Sequence, residues 1–216
     1  MKDKLINVVW KKIQSYSFVI FLALILVAFL IIAQVTKKND KVPVNKTTQT
    51  TQQTNHDNKT DEIFKLPLAE ESPEIIRDYY DVDGNLEDQL NSIIQVGNTF
   101  YPNNGVHYTV DGETEFEVLA ALSGTVKRVE QDPLLGYVVE IEHLYGMKTL
   151  YASLASVNVA VGDEVDQGDV LGVAGTNNFD PESGVHVHFE VLKDGVNLNP
   201  HDVIGTKISD YESENE

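Results

Sequence analysis

The residues best equipped for chemistry lie in Gly184-Val185-His186-Val187-His188-Phe189-Glu190. Two histidines spaced i, i+2 in a run of strand formers project from one face of a β-strand, while Val187 and Phe189 face the other way. That offers two imidazoles to one point in space, one to bind Zn²⁺ and one to polarise a water or carbonyl beside it. The same pair is equally at home as half-buried strand histidines, so it gains meaning only from its surroundings.

Composition narrows the chemistry. The chain has no cysteine, which excludes disulfides, thiol catalysis and Cys-ligated metal and leaves His and carboxylates as ligands. Charge is uneven: residues 1–62 carry nine lysines against five acidic groups, whereas residues 63–216 carry seven Lys and Arg against twenty-nine Asp and Glu. So acidic a C-terminal part is repelled by nucleic acid and anionic surfaces and suits protein partners or neutral to basic ligands, with solubility as the plain alternative.

The elements that must position the histidines follow from the chain in order. Residues 1–12 form a basic stub, and no charge appears between Ile13 and Thr36. At about 1.5 Å per residue, roughly twenty helical residues cross a hydrocarbon core of about 30 Å, so residues 13–36 read as an uncleaved transmembrane helix. The short stub would stay in the cytoplasm and the rest be exported. Residues 37–62 are polar and repetitive, predicting a disordered tether with an end-to-end distance of roughly 30 Å, in which His56 is solvated.

From residue 63 the pattern changes to short strand-like runs broken by Gly, Asn and Asp: Glu74–Asp81, Ile93–Tyr101, Phe116–Leu122, Thr125–Glu130, Tyr137–His143, Lys148–Ala152, Val170–Ala174 and Val185–Leu192. Asn85 is placed to cap a short helix through Leu90. Many short strands with few helical patterns predict a mainly β domain over 63–205, a sandwich or pair of packed sheets, followed by an acidic, frayed tail over 206–216.

Between Ser123 and Pro200 the pieces Ser123-Gly124-Thr125-Val126, Gly136 to His143, Tyr151-Ala152-Ser153-Leu154, Val159 to Gly175, Ser183 to Glu190 and Asn199-Pro200 stand in a fixed order. This run resembles the LytM or lysostaphin type of zinc endopeptidase, which cuts peptide cross-links in peptidoglycan. The resemblance implies short antiparallel strands in two packed sheets, His188 as a zinc ligand and His186 as a catalytic histidine. His143 and His201 fall at positions it does not use. The Val-x-x-Gly-Asp-x-Val-x-x-Gly pattern also occurs in biotin and lipoyl carriers, but no modifiable lysine stands at the required hairpin tip.

Two elements of that family are altered. Its Tyr-x-His-Leu histidine is replaced by Ser153, whose hydroxyl donates a hydrogen bond but carries no charge near neutral pH; one lost donor to the transition state costs roughly 10²-fold in rate or more. Its His-x-Gly-Ile/Val-Asp element admits two registers. In one, His107 and Asp111 are ligands and complete a zinc site with His188. In the other, which keeps Gly105-Val106 in step, His107 stands at the aspartate position and Asn103 at the first histidine. The glycine favours the second, leaving two protein ligands where a catalytic zinc needs three, so zinc would bind weakly, partially or not at all.

The anchor, the tether, Gln131-Asp132-Pro133-Leu134-Leu135-Gly136-Tyr137-Val138-Val139-Glu140 and Tyr151-Ala152-Ser153-Leu154 are similar to the stage II sporulation protein Q family of endospore-forming Firmicutes. That resemblance implies a single-pass protein of the forespore membrane that pairs with a stage III sporulation protein AH-like protein of the mother cell, in engulfment and in a channel joining the two cells. It favours a binding module on a degenerate peptidase fold over the alternative, an active zinc metalloendopeptidase hydrolysing peptidoglycan cross-link peptides. Contact with peptidoglycan remains compatible with both.

Overall fold

The computed structural model describes residues 59–70 and 72–212. The stub, the apolar span over 13–36, most of the tether and the last four residues lie outside them. No helix among the described residues is long and apolar enough to cross a membrane.

The architecture is mainly β. After β1 (Glu74–Arg77) comes α1 (Leu86–Asn91), where the Asn85 side chain accepts the Asp88 N–H at 3.1 Å. The run read as one strand from Ile93 to Tyr101 is instead a hairpin, β2 (Ile93–Val96) and β3 (Thr99–Pro102), reversing at Gly97-Asn98 and forming its own two-stranded sheet. Then follow β4 (Val106–Thr109), β5 (Glu117–Leu119), β6 (Gly124–Asp132), β7 (Gly136–Glu142), β8 (Met147–Val157), β9 (Glu164–Val165), β10 (Val170–Ala174), β11 (Val187–Lys193), β12 (Val196–Leu198) and the short α2 (Pro200–Val203).

The expected pair of packed sheets is, by hydrogen bonding, one ten-stranded antiparallel sheet: seven strands in the order β1-β4-β11-β8-β7-β6-β9, with β12 branching from β11 and β10 and β5 branching from β8. The reason is the length of β8. Its first part pairs with β7 and β11, and its last residues pair with β10, which in turn holds β5. Between these two roles the strand bulges: Tyr137 faces Leu154 and Val139 faces Tyr151, so Ala152 and Ser153 together oppose one residue of β7. Ser153 takes φ +65° there, a left-handed conformation unusual for a residue with a Cβ.

The core lies on one face of these strands, with Val106, Tyr108, Val126, Ile141, Tyr151, Phe189 and Leu171 fully or almost fully buried. Tyr151 is also a polar anchor, its hydroxyl accepting from Ala121 N at 2.9 Å and from Thr149 Oγ1 at 3.0 Å, and burial pushes its phenol up to about 12. His143 sits in the same region, bonded to Ser123 O and Thr149 Oγ1, and burial pushes it down to about 4. His201 pairs with Asp78 on the surface, away from the other histidines.

The domain also reaches further at both ends than composition suggests. Ile63 bridges Lys207, Phe64 N donates to Thr206 O, and Ile208 N donates to Glu62 O. The Glu62 carboxylate accepts from Ser123 N at 2.9 Å and Oγ at 2.5 Å. Ile208 is buried, and Tyr211 meets Phe64 edge-on at 5.9 Å. Residues 61–62 and 206–211 therefore belong to the fold: apolar side chains at Ile208 and Tyr211 outweigh the acidic character of the tail.

Candidate functional site

Strand β4 was not legible as a strand, yet it carries half of the site. It enters beside β11 through Gly105, where a Cβ would stand 2.2 Å from the Phe189 carbonyl oxygen. The register then sets His107 opposite His188. On the other side Gly184, at φ +60°, lets the chain turn against Gly112 and delivers His186 just before β11 begins. Three imidazoles result at one place: His107 stacks on His186 at 4.5 Å between centroids and meets His188 edge-on at 4.9 Å.

Asp111 does not join them. Its carboxylate accepts from the N–H groups of Glu113 and Thr114 and from Thr114 Oγ1, and these bonds hold its pKa below the ordinary range on an exposed turn. His107 is therefore brought to His188 while Asp111 is not. The reason lies in where the turn begins: β4 ends at Thr109, and the Asp111 carboxylate closes the turn that follows.

Behind the rings lies a network that no sequence motif announced. Arg77, at the end of β1, holds Asp180 through Nε at 2.6 Å and its second guanidinium nitrogen at 3.2 Å, and donates to the carbonyls of Asn91 and Ile93. Ser183 Oγ donates to Asp180 at 2.6 Å, and His107 Nδ1 lies 3.4 Å from the same carboxylate and 3.2 Å from Ser183 Oγ. Burial pushes His107 down to about 3 against the pull of Asp180, so the ring is neutral and the contact is a hydrogen bond to a carboxylate, not an ion pair. Burial works the other way on Asp180, but His107, Arg77 and Ser183 together hold it far below the usual carboxylate range.

Ser153 and His186 form a closed pair. Ser153 Oγ is 2.9 Å from His186 Nε2, and His186 Nδ1 is 2.9 Å from Gly184 O. A carbonyl accepts only, so Nδ1 carries the proton, Nε2 is the lone pair, and the serine hydroxyl donates to it. Burial pushes His186 down to about 4, keeping it neutral. Asn177 Nδ2 donates to Ser153 Oγ at 2.6 Å, and its Oδ1 accepts Asp180 N at 2.7 Å, which links the pair to the Arg77 network. Both Ser153 and His186 are wholly buried.

A cleft of about 350 Å³ opens beside them, lined by Asn103, His107, His188 and Glu190, by Asp132 and Asn177, and by apolar side chains including Tyr101, Leu134, Leu135, Leu150 and Phe179. Neither Ser153 nor His186 lines it. In the register that keeps Gly105-Val106 in step, the residues at the family's zinc positions are Asn103, His107 and His188. Asn103 commits its amide hydrogens to Asp78 O and Gly105 O, and His188 Nε2 lies 2.8 Å from Glu190 Oε1. This offers two imidazoles and a neutral amide oxygen. Among the described residues no three His, Asp or Glu side chains converge to hold a metal ion. The donor set does not fit a catalytic zinc centre.

Residues 101–200 match the model of peptidase family M23. The chain is 38% identical over 155 residues to stage II sporulation protein Q of Bacillus subtilis, a match covering 71% of this chain and 55% of that protein's length. Thus the chain spans only about half of the curated relative it matches. A solved structure titled as the SpoIIQ-SpoIIIAH pore forming complex contains a chain 37% identical, with a TM-score of 0.67, covering 70% of this chain and 96% of that one. A second, titled as the SpoIIIAH and SpoIIQ complex, matches at 39% identity and a TM-score of 0.62, covering 64% and 98%.

Proposed function

The chain belongs to the family of stage II sporulation protein Q, built on a peptidase family M23 domain, and from that premise we propose that it acts as a binding module and not as a hydrolase. Its partner is a stage III sporulation protein AH-like protein exported from the facing cell, and the pair serves engulfment and an intercellular channel. The apolar run over residues 13–36 anchors it in the forespore membrane with the domain outside the cytoplasm.

One observation carries this reading. Where the peptidases need a protonatable histidine open to substrate, this fold buries Ser153 and ties it to His186. A buried serine at that position supplies neither charge nor access, and His186 has its lone pair occupied by the hydroxyl. Asn103 in place of the first zinc ligand points the same way. The relatives of similar sequence whose structures are titled as complexes support the choice of partner.

The test uses the full chain in detergent. Titration with the exported domain of a stage III sporulation protein AH-like protein is expected to give saturable binding that His186→Ala leaves within about twofold. Incubation with cross-linked peptidoglycan peptides and added zinc is expected to leave them uncut. Zinc-dependent cleavage abolished by His186→Ala would instead establish the endopeptidase.

A further inference from the structure

Helix α1 and strand β3 bury nothing of their own. No residue of α1 is buried, and all four residues of β3 are exposed. Yet these elements and the turn before α1 carry Val82, Leu86, Leu90 and Phe100, which are 76%, 70%, 61% and 63% exposed. Leu86 and Leu90, spaced i, i+4, share one face of the helix. Alternation along β3 sends Tyr101 to the cleft described above and Phe100 to the other side. There Phe100 joins Leu90 and Ile93 in a second groove of about 540 Å³. Large apolar side chains gathered so openly mark a contact surface.

The charge around this groove is one-sided. Residues 78–105 hold Asp78, Asp81, Asp83, Glu87 and Asp88, all exposed, and no lysine or arginine. Asp180 and Glu182 line the groove from the loop before β11. Arg77, the cation in its lining, spends its guanidinium on the Asp180 carboxylate and on the carbonyls of Asn91 and Ile93. A second copy of this chain would set the same acidic surface against itself, and nucleic acid or an anionic bilayer is repelled. The matching occupant has apolar side chains with positive charge beside them.

We infer that the groove between α1 and the β2–β3 hairpin docks a basic amphipathic helix of a partner protein. The apolar residues of that helix, at i, i+3 or i+4, seat on Leu90, Ile93 and Phe100 and extend along Leu86, and its lysines and arginines meet the acidic residues around them. The groove is walled by side chains, so it reads side chains, the helix-in-groove mode of recognition. A two-stranded sheet is marginal by itself. This one is held by buried Ile94 and by the bond from Arg77 to the Ile93 carbonyl, which leaves Phe100 presented outward. The inference stands on these residues alone and not on the partner proposed above.

The test titrates the full chain in detergent with a model peptide helix whose leucines recur at i, i+3, i+4 and i+7 among lysine and alanine, and with a counterpart in which glutamate replaces every lysine. The detergent takes up each peptide equally for every variant, so differences between variants report the protein. The lysine helix is expected to bind saturably, to shift the amide resonances of residues 82–101, and to weaken as salt rises, with the glutamate helix weaker by about tenfold or more. Leu90→Asp and Phe100→Ser are each expected to weaken the lysine helix by about tenfold or more while the melting temperature holds, since both positions are exposed. Val161→Asp, at an exposed apolar residue between β8 and β9, is expected to change nothing. Shifts spread over the acidic surface at large, affinity unmoved by Leu90→Asp and Phe100→Ser, or self-association of the chain that those variants abolish would each overturn the site. Failure of the AH-like domain to bind would sink the proposed function and leave this result standing.

Discussion

Ser153 Oγ and His186 Nε2 stand 2.9 Å apart with neither residue exposed to solvent, and the serine holds this place at φ +65°. The hydroxyl is donor to His186 and acceptor from Asn177, so its removal strands two buried groups. Ser153→Ala is expected to cost about 1–3 kcal/mol. Ser153→Gly loses the same bonds but relieves the left-handed backbone, and is expected to be about 1 kcal/mol less harmful than alanine. Urea denaturation of the three proteins checks the order; equal losses for Gly and Ala would show that the bulge is unstrained.

The Arg77–Asp180 pair ties β1, the α1–β2 junction and the loop carrying Ser183 to His107. Arg77→Met leaves a buried carboxylate without its cation and is expected to cost about 3–5 kcal/mol. Adding Asp180→Leu removes the stranded charge and is expected to restore part of that loss. The double-mutant cycle measures the coupling, and additive losses would mean the pair is incidental. Hydrogen exchange at Ile94, the buried residue of the hairpin, is expected to quicken in the single variant, because Arg77 also bonds the Ile93 carbonyl.

Acid is expected to unfold the domain through its histidines. His143 is held neutral at about 4, His186 at about 4 and His107 at about 3, against 6.5 in the unfolded chain. A depressed folded pKa means that the unfolded state binds the proton more readily. The stabilisation is complete above pH 6.5 and drains away as pH falls towards 4, by up to about 1.4 kcal/mol per pH unit for each ring. Denaturation midpoints between pH 7 and 4.5 check this, and His143→Gln, distant from the other two, is expected to shallow the slope by one proton's worth.

Zinc is expected to remain well below one equivalent per chain after dialysis. Asn103→His with His107→Asp rebuilds the donor set of the M23 peptidases around His188 and is expected to raise affinity by about 100-fold or more, since an imidazole and a carboxylate replace an amide and a ring committed to Asp180. Metal analysis and calorimetry distinguish the cases. One full equivalent in the unaltered chain would contradict the reading of the cleft.

Much of this was legible in the residues. The i, i+2 histidines announced themselves; that Gly105 and Gly184 stand at close backbone approaches is seen only in the fold. The register at 103–111 was open in the sequence because one alignment supplies a His and an Asp, His107 and Asp111, while the other keeps Gly105-Val106 in step with Asn103 and His107 at the ligand positions; the structure adds that His107 pairs with His188 across β4 and β11. Arg77, Asn177 and Asp180 were not legible. They lie up to 103 residues apart and meet through topology, and Asn and Asp recur throughout so acidic a chain. The Ile93–Tyr101 run misled because the strand-favouring residues on either side conceal a reversal at Gly97-Asn98, a glycine-containing turn read as part of the strand.

The pairing of Ile63 with Lys207 brings the two ends of the domain together. A pull on the chain before residue 59 would therefore be met by the Glu62, Phe64 and Ile208 contacts, whose residues are separate from those lining the cleft, so the fold has a clasp of its own at the end where the chain enters.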